Sequence, residues 1–203
     1  MKVVICFHRP SDSVVDTLRG IWWGKYTNGY FVFIDESDIK IFATHIDLGV
    51  VGYMCKERPS SSFKKYDQYA DFLLLAVDEE EARKILASCV ACVKSKKSFN
   101  LFDMLAIHVP FREPKEISIY DASSIHDTQA VILILRECLN QENKLRHGLE
   151  GLHSRLTVAE TLYERIRPYT LPVFWTDMVE LVKWPDKEGK TVRESKASSS
   201  ETH

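Results

Sequence analysis

The stretch IHDTQAVILILRECL, residues 125–139, decides how this chain is read. Its centre, AVILILRECL, is apolar almost all the way round. A helix facing solvent keeps a polar face, so this one is expected to be buried on most of its circumference. Asp127 stands at its start, where a carboxylate accepts a free backbone amide, so a helix is expected over 127–139 with Asp127 as its cap. Upstream, Asp78 with Glu81 three residues on forms a capping box. It opens a helix reaching about Val93 and ending in Lys94, Lys96 and Lys97, which suit the negative end of the helix dipole. Downstream, Thr157 and Glu160 repeat the capping pattern for a helix that stops before Pro168. A last short helix is expected over 177–182.

The flanking segments read as strands. Residues 1–7 (MKVVICF), 30–34, 40–45, 50–56 and 71–77 (DFLLLAV) are rich in β-branched, aromatic or leucine residues and have strand lengths. Residues 35–38 form the turn of a hairpin between the second and third. A helix is expected over 11–20 and a short one over 99–106. Residues 58–65, with Pro59 and three serines, read as an exposed loop, and 108–116, with two prolines, as a connection.

Composition narrows the class. A chain of 203 residues with 45% hydrophobic residues holds one sizeable core, here expected over 1–184, followed by a disordered tail over 185–203. A net charge of -2 supplies no basic field, so nucleic acid is not an expected partner. No apolar run approaches the ~20 residues of a membrane span, and the opening 1–7 is too short for a signal peptide. Five cysteines, an odd number set in apolar segments, point to free thiols and a cytoplasmic location. Cys89 and Cys92 form a CxxC inside a helix without a second pair, so they read as small core residues, and neither metal nor other cofactor is expected.

The order WWGKYTNGYFVFID (22–35), IFATHIDLGVVGY (41–53), IHDTQAVILILRECL (125–139) and RLTVAETLYERI (155–166) resembles the circularly permuted NlpC/P60-like group of papain-fold cysteine hydrolases, including versions carried by large DNA viruses. The resemblance spans about 14–166. It implies an α+β, permuted papain-like fold: an antiparallel sheet packed against helices around a buried central helix. In that group a cysteine opens the buried helix, where dipole and free amides stabilise its thiolate. A histidine on a neighbouring strand is the base, and a third polar residue orients it.

Carried over, Tyr26 and Thr27 match the group's aromatic-Ser pair, and Asn28 then stands for the histidine. Thr128 and Gln129 match the second and third members of the helix triplet, and Asp127 stands for the cysteine. An amide is no general base, and a carboxylate attacking an amide needs an activated leaving group. The resemblance therefore implies a catalytically inactive protein, retained as a binding or structural protein with a protein partner. Two alternatives remain open. One is an active hydrolase of peptidase, amidase or acyl-transfer type with a rearranged site using His45, His126, Asp127 or Cys55. The other is a binder of a peptide or acyl chain that does not cleave it. Trp22, Trp23 and Tyr26 are the candidate rim of a binding groove. Each residue also has a plainer role: Asp127 as a cap, Asn28 with Gly29 as a turn pair, His126 as part of the capping region, His45 as a half-buried strand end, and one tryptophan as core.

Overall fold

Strand β1 (Lys2–His8) is apolar without a break because both its faces are covered. Val3, Ile5 and Phe7 join one core, while Val4 and Cys6 join a second on the other side. A computed structural model describes residues 1–10, 24–45, 49–55, 69–95, 98–99, 118–119 and 124–183. In it β1 lies inside a six-stranded sheet with β2 (Asn28–Ile34), β3 (Ile39–His45), β4 (Gly49–Cys55), β5 (Ala70–Leu75) and β8 (Thr170–Val173). The order is β4-β3-β2-β1-β5-β8, and every pairing is antiparallel. A small parallel pair, β6 (Ser98–Phe99) with β7 (Ser124–Ile125), stands apart.

The first core lies between the sheet and α1 (Glu79–Lys94), α2 (Asp127–Cys138), α3 (Leu145–Leu149) and α4 (Ala159–Ile166). The second is capped by α5 (Trp175–Glu180), through Trp175, Met178 and Val179. The chain is thus a mixed α+β protein with five α-helices among the described residues. No described helix is long and apolar enough to cross a membrane.

The helices follow their sequence signals closely. Asp78 Oδ1 accepts the Glu81 amide at 2.7 Å while Glu81 Oε2 accepts the Asp78 amide at 3.0 Å. Cys89 and Cys92 face the core as free thiols. In α2, nine of the twelve residues are buried, as an all-round apolar helix requires. The hairpin turns at 35–38, where the Asp35 amide donates to the Asp38 carbonyl at 3.0 Å.

Some elements differ from expectation. Thr157 does not cap α4: its hydroxyl donates to the His153 carbonyl at 2.7 Å, and Val158 holds the cap position without a side-chain bond. Residues 98–99 pair as a strand where a helix was expected, and the rest of that segment lies outside the described residues. The last helix sits two residues earlier, at Trp175–Glu180. β8, opposite Leu73 at Pro172, and the short α3 were not expected. The helix expected over 11–20, the loop over 58–65, the connection over 108–116 and the tail over 185–203 lie outside the described residues.

Candidate functional site

The start of α2 corrects the sequence reading by one residue. The cap is His126, in extended backbone (φ -107, ψ 167), not Asp127. Its Nδ1 accepts the Gln129 amide at 3.3 Å, and Gln129 Oε1 accepts the His126 amide at 3.4 Å, a capping box built on an imidazole. An accepting Nδ1 makes this the neutral ring with its proton on Nε2. Asp127 is therefore the first residue of the helix proper; it is 8% exposed, and Thr128 and Gln129 beside it are also buried.

Helix α2 packs on β2, and strand alternation decides which β2 residue meets its start. Phe31 and Phe33 belong to the helix-side core, Val32 and Ile34 to the opposite one. The register runs unbroken to His8↔Asn28. Asn28 thus shares the face of Val32 and Ile34, away from α2, and the residue toward Asp127 is Gly29. Gly29, Tyr30 and Phe31 of β2, with Phe42, Cys89 and Cys92, line a cavity of about 20 Å³ with Asp127, room for a single water. His45 closes β3 opposite Gly49. Trp22 and Trp23 lie outside the described residues.

Four of the five thiols, Cys6, Cys55, Cys89 and Cys138, are shifted away from the thiolate. Burial pushes Cys6 up to about 12, raises Cys89 well above the ordinary thiol value, and raises Cys138 and the half-buried Cys55. A reactive cysteine needs the opposite shift.

A second concentration of polar groups lies on the same cross-strand row of the sheet, beyond Phe7 from Gly29. Asp71 of β5 sits opposite Phe7. The Arg9 guanidinium pairs with it, with Arg9 Nε donating to Asp71 Oδ2 at 3.3 Å, and the Tyr26 hydroxyl donates to the same oxygen. Lys25 Nζ stands 3.6 Å from Asp71 Oδ2. Burial alone would raise the Asp71 carboxyl, but the Tyr26 hydroxyl and the Arg9 guanidinium hold it below its ordinary value. Tyr26 is pushed upward by burial, by its bond to the Asp71 carboxylate and by its contact with Tyr163.

Above this cluster opens a cleft of about 510 Å³, lined by Lys25, Tyr26, Glu160, Tyr163, Glu164 and Arg167, with Pro168 and Pro172 at its margin. The Tyr26 and Tyr163 rings lie 4.6 Å apart between centroids, and Lys25 Nζ stands 5.6 Å from the Tyr163 centroid. Arg167 approaches the same ring at 6.0 Å. Glu160 Oε2 accepts the Lys25 amide at 3.1 Å. Gly24 makes that contact reachable: its φ is +82, and a Cβ there would lie 1.9 Å from Glu160 Oε2. Of the expected groove residues, Tyr26 is the described one; it is fully buried, beneath this cleft. Lys25, Tyr163, Glu164 and Arg167 were not singled out from sequence. Their one signal is the spacing of Glu160, Tyr163, Glu164 and Arg167, which is that of a helix stripe.

Among the described residues no group of three or more His, Cys, Asp or Glu side chains is placed to hold a metal ion. Comparison of the chain with protein-family models, with curated proteins and with solved structures found no match.

Proposed function

We propose that this chain is a non-catalytic relative of the papain-like hydrolases, retained as a binding protein. The observation that carries the reading is the lining of the cavity at the start of α2. Where a hydrolase of this kind needs a nucleophile facing a base, the helix contributes a carboxylate, Asp127, and β2 contributes Gly29, Tyr30 and Phe31, none of them a base at neutral pH. The cavity they line holds about 20 Å³, room for one water. His126, the nearest imidazole in sequence, already spends Nδ1 on its own helix. The binding surface is then the open cleft over Tyr26 and Tyr163, and the five free cysteines suit a reducing, cytoplasmic setting.

Alkylation with iodoacetamide followed by peptide mapping tests this. Every native cysteine should react no faster than free cysteine at neutral pH. One native thiol labelling tenfold faster, with a hydrolytic activity lost on its replacement by Ser, would overturn the non-catalytic reading.

A further inference from the structure

We propose that the cleft over Tyr163 binds a short peptide end to end, taking its free carboxylate at Arg167 and its free ammonium at Glu160 and Glu164. The inference rests on the binding reading above and names the ligand class.

Three observations carry it. First, the lining is electrically balanced, two cations and two carboxylates, which favours a ligand bearing both signs over a simple anion or cation. Second, the charges are ordered along α4 and the turn after it. Glu160 and Glu164 precede Arg167 on one helix stripe, while Ala159, Leu162 and Ile166 of the same helix are buried. At 1.5 Å of rise per residue the stripe from 160 to 167 spans about 10 Å. The termini of an extended tripeptide lie roughly 7–10 Å apart, so both ends reach a complementary charge. Third, one group of each sign is unengaged, while Lys25 faces Asp71 and Glu160 holds the Lys25 amide. Arg167 touches Tyr163 but has no ion-pair partner among the described residues, and Glu164 has none either. The half-exposed Tyr163 ring between these charges gives an apolar floor for the middle residue, with the buried Tyr26 ring packed beneath it. An acyl chain would leave four charges facing hydrocarbon, at a cost the tyrosines do not offset.

The test is calorimetric titration of the full chain with the tripeptide Ala-Phe-Ala, both termini free, beside its acetylated and amidated form and beside octanoate. The free tripeptide should bind saturably, and blocking both ends should weaken it at least tenfold. Arg167→Glu and Glu164→Lys should each weaken it at least tenfold, and as exposed positions both should leave the melting temperature within a few degrees of the parent. Failure of Ala-Phe-Ala to bind, equal binding by the blocked form or by both variants, or stronger binding of octanoate would each overturn the inference and leave the non-catalytic reading standing. Cleavage of the bound tripeptide would do the reverse: the site would stand and the non-catalytic reading would fall.

Discussion

Glu81 is the residue whose loss should cost the fold most for its size. Its carboxylate is 2% exposed and serves two elements at once. Oε2 accepts the Asp78 amide at 3.0 Å and closes the capping box of α1. Oε1 accepts the Asn140 amide at 2.8 Å, just beyond the C-terminus of α2. Asn143 Nδ2 donates to both oxygens, at 3.0 and 2.8 Å. One buried carboxylate is thus held by three donor groups from two connections, and Glu81→Ala removes its bond to each. A hydrogen bond to a charged group contributes about 1.5–3 kcal/mol. Asp78 and Asn140 are exposed and can rehydrate, and Asn143 Nδ2 keeps the Ala76 carbonyl, so the loss should be well below three such bonds, about 2–3 kcal/mol. Asp78→Ala removes the other half of the same box and should cost only about 1 kcal/mol, the ordinary value of a cap. Urea unfolding followed by circular dichroism, with the slope held common, reads both values. If Glu81→Ala cost no more than Asp78→Ala, the carboxylate would be an ordinary capping partner and the inter-helix role assigned to it here would be wrong.

Other expectations concern the two sites. Gly24→Ala should destabilise by about 1–2 kcal/mol through its left-handed backbone; it should also drive Glu160 off the Lys25 amide, seen as a shifted Lys25 amide resonance, and an unmoved resonance would refute the contact. Asp71 titrates below its ordinary 3.8 when folded, so the unfolded chain takes up its proton first. Its contribution should be complete above about pH 5 and fade as pH falls through the folded value, and Asp71→Asn should flatten stability against pH in that acid window alone. His126→Asn keeps an acceptor for the Gln129 amide and His126→Ala does not, so Asn should be better by about 1 kcal/mol in unfolding experiments; equal losses would mean the imidazole fills space without capping.

Much of the fold was legible because the strongest signals were local. The Asp78/Glu81 box and the all-round apolar run of α2 each specify one element without help from the rest of the chain. β8 was not legible, since Pro172 removes a donor and argues against a strand; only its pairing with Leu73 makes it one. The α2 cap was misplaced by one residue because aspartate is the commoner cap, and nothing local says that the imidazole beside it will turn inward. The facing of Asn28 was not legible for a related reason: both faces of β2 are covered, so its sequence lacks the polar-apolar alternation that assigns residues to faces. The cleft joins Lys25, the stripe on α4 and Pro172, segments that no local pattern connects.

Among the described residues β8 is an edge of the sheet, and Pro172 shapes that edge. Opposite Leu73 in an antiparallel pair, a residue without an N–H suits the position whose backbone groups point away from β5. The outer rim of β8 therefore offers an incoming strand a carbonyl but no matching amide at its middle. Leu171 and Phe174 beside it are each 65% exposed, the kind of surface that invites self-association. A single imino acid thus acts as a gatekeeper: a greasy margin stays available for side-chain contacts while the chain is denied the backbone ladder along which aggregates propagate.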